Sequence, residues 1–406
     1  MKNQKGVGTG GGRHRAWAAV LACAVWLIVL AAAPRAQDYR PGELVVALRA
    51  GVDLDLVALL HGLVPLEQLP GTRIWRVRAL LPLQETLALL LADRGIQFAE
   101  LNYMLATPEA EQQSMAFLDQ ERPPYVAGQS PAGYYGQPAA GRLQVRAAQA
   151  IAAGQDITVA VIDTGVSAGH PALAGALAAG WDFIASDDDP ADEPGGIGHG
   201  HGTFIAGLIR LAAPLAMVLP LRALDANGRG DIFTIAKAIR YAVDTGRAQV
   251  INLSLGLPRR AFVVDDAGAY AAAAGAVLVA SAGNRGRGEP QYPAAHPYVI
   301  GVAAVDACDI KAPFSNYHEG LSTSAPGVDV YSTFPDGLFA SWSGTSFAAA
   351  LVSGQAALVR SARPAAGPAE VRDIIRQSAD NVDELNPGYA GQLGAGRVNC
   401  RAAVRW

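Results

Sequence analysis

Four short segments of this chain carry side chains that could do chemistry together. Asp163-Thr164-Gly165 ends the apolar run ITVAVID (157–163), so a carboxylate stands where a strand leaves its sheet. The same tripeptide recurs at Asp244-Thr245-Gly246, and two such carboxylates could share a proton. That copy closes an amphipathic helical pattern over 231–246, with Gly246 placed as the C′ cap, so the second carboxylate does not come from a strand end. His201 stands between Gly200 and Gly202 at the start of a predicted buried helix. A packed core histidine is one reading of it. A metal pair with His199 is another, but His-x-His without a third ligand is weak evidence. Ser346 lies in Ser343-Gly344-Thr345-Ser346-Phe347-Ala348, opening a helix that is apolar on nearly every side. The positive end of that helix would favour an oxyanion forming nearby, whereas Ser346 or Thr345 acting only as an N-cap is the plainer alternative. Asn284 ends the strand AVLVASAGN (276–284), where its amide could donate to a developing negative oxygen or form an Asx turn.

The elements that must position these groups read as alternating strands and helices. ITVAVID (157–163), AMVLPLRAL (216–224), QVINLSLG (249–256), AVLVASAGN (276–284) and YVIGVAAV (298–305) are short, β-branched and apolar on both faces, as buried parallel strands are. Between them, DIFTIAKAIRYAVDTG (231–246) has helical apolar spacing with Asp231 as N-cap. The order predicts a three-layer α/β/α domain with a central parallel sheet, reactive groups gathering at the carboxyl ends of its strands. Ahead of it, 39–105 reads as a small α+β unit. Strands are expected at 43–49, 72–80 and 96–105, and helices at 53–63 and 82–95. The stretch 106–141, rich in Pro, Gln, Gly and Ala with little periodicity, reads as a linker.

Taken in order, Asp163, His201, Asn284 and Ser346 resemble the subtilisin-like serine proteases. The Asp-Thr-Gly strand end, His-Gly-Thr-x-x-Ala-Gly and Gly-Thr-Ser-x-Ala carry the resemblance, which spans most of 134–405. It implies that Ser346 is the nucleophile, His201 the base and Asp163 the group that orients the imidazole. Asn284 and the Ser346 backbone N–H would then line the oxyanion hole. By the same resemblance Ser254, Leu255 and Gly256 would pair with substrate backbone as an edge strand, with Gly228 to Gly230 as the opposite wall. The small unit would be a propeptide of ferredoxin-like β-α-β-β-α-β order, an intramolecular inhibitor removed by a cut between about 106 and 140. One departure is Ala350, where the family usually has proline four residues after the nucleophile. It is the one feature favouring a catalytically weak or inactive binding or chaperone-like protein. An esterase of the α/β-hydrolase type would need Gly-x-Ser-x-Gly with histidine last in the chain, and neither holds.

Composition narrows the partners. Of 406 residues 51% are apolar and 17% charged, so the chain folds around a core; 36 acids against 32 bases leave a net charge of −4, which argues against nucleic acid. Residues 1–15 are basic and 16–33 apolar and uncharged, an export leader pointing to a secreted or periplasmic protein, with an uncleaved membrane anchor as the alternative. The expected organisation is a leader (1–36), propeptide (37–105), processing linker (106–140) and peptidase domain (141–406), acting as a monomer on polypeptide substrates. No cofactor is required. Six carboxylates at Asp182, Asp187, Asp188, Asp189, Asp192 and Glu193 leave calcium open, since relatives bind it in the corresponding loop, although the spacing fixes no ligand set. Arg229-Gly230-Asp231 spells an adhesion tripeptide, but Asp231 serves first as a cap. Of three cysteines, Cys23 lies in the leader, and Cys308 and Cys400 could pair in an oxidising compartment.

Overall fold

A strand buried on both faces must send alternate residues to two different cores, and the N-terminal unit does so. The computed structural model describes residues 38–113 and 124–406, so the expected leader lies outside the described residues. In β1 (Tyr39–Leu48), Leu44, Val46 and Leu48 pack under the unit's own helices, α1 (Leu54–His61) and α2 (Leu83–Ala92), while Val45 and Ala47 face the large domain. With β2 (Leu63–Gln68), β3 (Ile74–Ala79) and β4 (Ile96–Ala106) the antiparallel order is β2-β3-β1-β4, the ferredoxin-like arrangement expected. The helix expected over 53–63 stops at His61, because Gly62 turns left-handed at φ 63° and releases the chain into β2. Pro65 hides β2 in the sequence, but β2 is an edge strand, where a missing N–H is tolerated.

The segment expected to be a linker has more order than its composition implies. It contains α3 (Pro108–Gln113), β5 (Tyr125–Gly128), α4 (Ala132–Gly136) and α5 (Pro138–Arg142), followed by α6 (Val145–Gln149). Tyr134 is fully buried in the large core and its hydroxyl donates to the Gly207 carbonyl at 2.7 Å. The large domain therefore gathers in residues well before 141.

Its centre is a parallel sheet of β6 (Thr158–Asp163), β7 (Trp181–Asp182), β8 (Met217–Arg222), β10 (Val250–Leu253), β11 (Val277–Ser281), β12 (Val299–Val305) and β13 (Thr323–Pro326), ordered β13-β12-β11-β10-β6-β8-β7. Alternation again sets the layers. Val159 and Val161 of β6 join the core under α7 (His201–Ala212) and α10 (Thr345–Ala362); Ala160 and Ile162 face α8 (Ile232–Asp244) and α9 (Phe262–Ala273). This is the three-layer fold predicted. β9 (Arg229–Asp231) precedes α8, and Asp231 is a buried N-cap that accepts from the Thr234 N–H at 3.0 Å, which leaves no adhesion motif on display. Gly246 is not a left-handed cap; its Cβ would lie 2.2 Å from Leu219 Cδ2, and the left-handed residue is Arg247 at φ 49°. The sequence reading missed β13 and the hairpin β14 (Val330–Phe334) and β15 (Leu338–Trp342), which pairs with β5. Cys308 is exposed and Cys400 is buried at the start of a short helix (Cys400–Arg405), both as free thiols, so the considered disulfide does not form.

Candidate active site

Asp163 is the last residue of β6, and its Oδ1 accepts from Thr164 N–H at 2.8 Å and from His201 Nδ1 at 2.7 Å. His201 is the first residue of α7 and has no exposed surface, enclosed by the rings of Trp342 and Phe347. Both flanking glycines are required by space. A Cβ on Gly202 would lie 2.2 Å from the Gly165 carbonyl oxygen, and one on Gly200, which sits at φ 84°, would lie 2.3 Å from Phe334. Thr203 ties the helix start down, donating from Oγ1 to Asp192 at 2.8 Å and accepting from Ser167 N–H at 2.9 Å.

Ser346 is the second residue of α10, where the first-turn amides are unpaired within the helix. Asn284 closes that end: its side-chain oxygen accepts from Thr345 N–H at 3.0 Å and Thr345 Oγ1 at 2.8 Å. With the oxygen so committed, its amide nitrogen is left to donate elsewhere, and it does so to the Glu109 carboxylate. Ala350 is fully buried in the second turn of α10. There its N–H can join the helical ladder to the Ser346 carbonyl, which also accepts from Ser254 Oγ at 3.1 Å.

One residue the sequence reading did not single out completes the cluster. Glu109, on α3, is 4% exposed and places its carboxylate between all of these groups. Oε1 accepts from Asn284 Nδ2 at 3.0 Å, and Oε2 from Ser346 Oγ at 2.7 Å and His201 Nε2 at 3.1 Å. Burial alone would push Glu109 up, but the bond and charge of His201 and the Ser346 hydroxyl outweigh it and hold the carboxyl below its usual range. Burial likewise opposes charge on His201, yet Asp163 and then Glu109 raise it to about 10. Nothing in the local sequence marks Glu109, because its position depends on how the N-terminal unit docks.

That docking brings in the remaining expected residues. The end of β4 lies between β9 and residue 256: Leu105 pairs with Gly230, Ala106 with Arg229, and Ala106 forms a second antiparallel bridge with Gly256. Gly256 and Gly230 thus flank a strand of this chain itself. Ser254 and Leu255 are buried, Ser254 bonding Asn252 Oδ1 at 2.9 Å and Leu255 joining the core, while the Gly256 N–H donates to the Ala106 carbonyl of β4 at 3.0 Å. Glu100 and Asn102 of β4 supply acceptors to the first turns of α9 and α8.

Several carboxylates of the acidic loop have partners within the protein. Asp182 and Glu193 both bind Arg222, at 2.6 Å each, and Asp192 accepts from the Gly200 and Thr203 N–H groups at the start of α7. Among the described residues no group of three or more His, Cys, Asp or Glu side chains has metal-binding geometry. Also among them, no helix is long and apolar enough to cross a membrane.

Residues 154–396 match the model of the subtilase family. Thermitase from Thermoactinomyces vulgaris is 38% identical over 285 residues, covering 67% of this chain and 98% of thermitase. The thermophilic serine proteinase of Bacillus sp. (strain AK1) is 41% identical over 263 residues, 62% of each chain. The crystal structure of fervidolysin from Fervidobacterium pennivorans, a keratinolytic enzyme related to subtilisin, matches with a TM-score of 0.75 at 26% identity over 92% of this chain, which spans 62% of that one.

Proposed function

This chain belongs to the subtilase family and is a serine-type endopeptidase, and on that premise we propose that Ser346, His201, Asp163 and Asn284 carry its chemistry. The carrying observation is the convergence of Ser346 Oγ, His201 Nε2 and Asn284 Nδ2 on a single carboxylate, with His201 Nδ1 anchored 2.7 Å from Asp163. A carbonyl in that position would have a nucleophile, a proton acceptor and an oxyanion donor around it at hydrogen-bonding range.

The steps follow from the positions. Ser346 Oγ attacks the scissile carbonyl carbon as His201 Nε2 takes its proton. Asp163 fixes the ring so that Nε2 faces the substrate and stabilises the imidazolium that forms. Asn284 Nδ2 and the Ser346 backbone N–H receive the oxyanion, aided by the positive end of α10. His201 then protonates the departing amine, and water releases the acyl group by the same steps in reverse. None of this calls for a cofactor. Substrate backbone would lie where β4 ends, between Gly230 and Gly256, with Ser254 and Leu255 shaping that wall from beneath.

The N-terminal unit is read as a propeptide and intramolecular inhibitor, exported behind the 1–36 leader and removed by a cut between about 106 and 140. Its strand lies between Gly230 and Gly256 and its acceptors cap two helices of the large domain, which supports that reading. Expressing the wild type and Ser346→Ala tests the whole scheme. The wild type should lose the N-terminal unit and hydrolyse peptides, and the variant should do neither; equal processing and hydrolysis in both would sink the reading.

A further inference from the structure

We propose that Glu109 is a tethered inhibitor of the catalytic centre: in the uncleaved chain its side-chain carboxylate sits where the reacting carbonyl of a substrate would sit and disarms Ser346, His201 and Asn284 at once. The proposal rests on the assignment of those three residues made above and adds a residue and a mode of inhibition to it.

Three features carry the inference. Register comes first. Met104 to Ala106 lie in the cleft as an extended strand, and the Thr107 N–H still reaches the Gly228 carbonyl at 2.9 Å. The next residue is Pro108, which has no N–H to continue the ladder, and there the chain turns into α3. A substrate would stay extended past the nucleophile, whereas this segment departs and presents a side chain. Protonation is the second feature. His201 Nδ1 faces the Asp163 carboxylate and Nε2 faces Glu109, and a carboxylate offers only acceptors. Both ring nitrogens therefore donate, and an imidazolium cannot take a proton from serine. Ser346 Oγ donates its hydrogen bond to Glu109 instead of to His201. Third, the carboxylate is chemically inert to the serine beneath it. It is the least electrophilic acyl group, and attack would have to expel an oxide ion.

The side chain is also held firmly. Thr107 Oγ1 accepts from the Ala110 N–H at 3.2 Å, and Glu111 pairs with Arg285 at 3.2 Å. Gly344 leaves the room, since a Cβ there would lie 1.8 Å from Glu109 Oε1, and Gly228, at φ 70°, lets Thr107 and Ala110 approach. Elsewhere β4 binds through backbone pairing and helix caps, which occupy the cleft but leave the reacting groups intact. Among the described residues, Glu109 alone touches all three.

The test uses the full-length chain before processing and a fluorophosphonate probe at pH 8, with labelled species separated by mass so that intact and processed protein are scored apart. Glu109→Ala and Glu109→Gln are each compared with the wild type, and each again in a Ser346→Ala background. The intact band of either folded variant should label at least about tenfold faster than the intact wild type, and no band should label when Ser346 is absent. Glu109→Gln keeps the size of the side chain, so it carries the comparison if Glu109→Ala fails to accumulate. Wild-type labelling rates in every folded variant would overturn the tethered inhibitor while leaving Ser346 as nucleophile. Labelling that survives Ser346→Ala would instead overturn the site assignment on which the proposal rests.

Discussion

Glu100 makes the grip of the N-terminal unit depend on pH, and the size of the effect follows from its surroundings. It reaches from β4 to the start of α9, a helix without a side-chain N-cap of its own, and its two oxygens accept from Phe262 N–H at 3.0 Å and Val263 N–H at 2.9 Å. Burial raises its carboxyl from 4.5 to about 7; the two N–H groups pull it down, and the charge of Asp265 pushes it up by a lesser amount. Once the unit leaves, the side chain returns to water and to its ordinary value. A carboxyl raised on docking favours the docked state when protonated. Its contribution is complete below about 4.5 and is lost as pH rises through 7. A rise from 4.5 to about 7, at about 1.36 kcal/mol per unit, is roughly 3 kcal/mol, or about two orders of magnitude in dissociation constant. The perturbation is Glu100→Gln, which keeps an oxygen for the α9 amides and removes the titration. The assay dilutes the cleaved, non-covalent complex at pH 5 and pH 8.5 and reads dissociation from the peptidase activity released. Glu109 and His201 titrate in both proteins, so the informative quantity is the ratio of wild-type to variant dissociation constants. That ratio should rise about a hundredfold between the two pH values. A flat ratio would refute the reasoning.

Three further outcomes are expected. Asn284→Ala should lower kcat by about 10²–10³ with a smaller change in KM, the range seen on removing one oxyanion donor from an enzyme of this family; steady-state kinetics on a peptide substrate read it directly. Gly202→Ala should both destabilise and impair, because its Cβ would displace the Gly165 carbonyl 2.2 Å away and with it the turn holding Asp163; a loss of about 1–3 kcal/mol in unfolding free energy is expected, measured by denaturant titration. Arg222→Met should cost about 3–5 kcal/mol by the same measurement, since it leaves the buried Asp182 without its cation, and added calcium should not restore it.

How much of this was legible in sequence depended on distance along the chain. The strands of the parallel sheet announce themselves because both their faces are apolar, and the strand-end or helix-start position of Asp163, His201, Asn284 and Ser346 follows from where those runs stop. The β14–β15 hairpin was readable in principle, for Asp336-Gly337 between two short runs is a turn signal, and both residues adopt positive φ. β13, Thr-Ser-Ala-Pro, carries too little apolar character to read as a buried strand. The acidic loop gains detail only from the fold: of its six carboxylates, Asp182 and Glu193 take Arg222, 40 residues from Asp182, as their cation. Glu109 was illegible for the same cause. It lies 92 residues from His201 and 237 from Ser346, and the register of β4 against β9 alone decides that it reaches them.

The central claim is that Ser346 is the nucleophile of this peptidase. Peptide mapping of the mature enzyme after inactivation by a fluorophosphonate tests it most directly. A single adduct on Ser346, formed in step with loss of activity, is the result predicted. An adduct on another residue, or full inactivation with Ser346 unmodified, would contradict it.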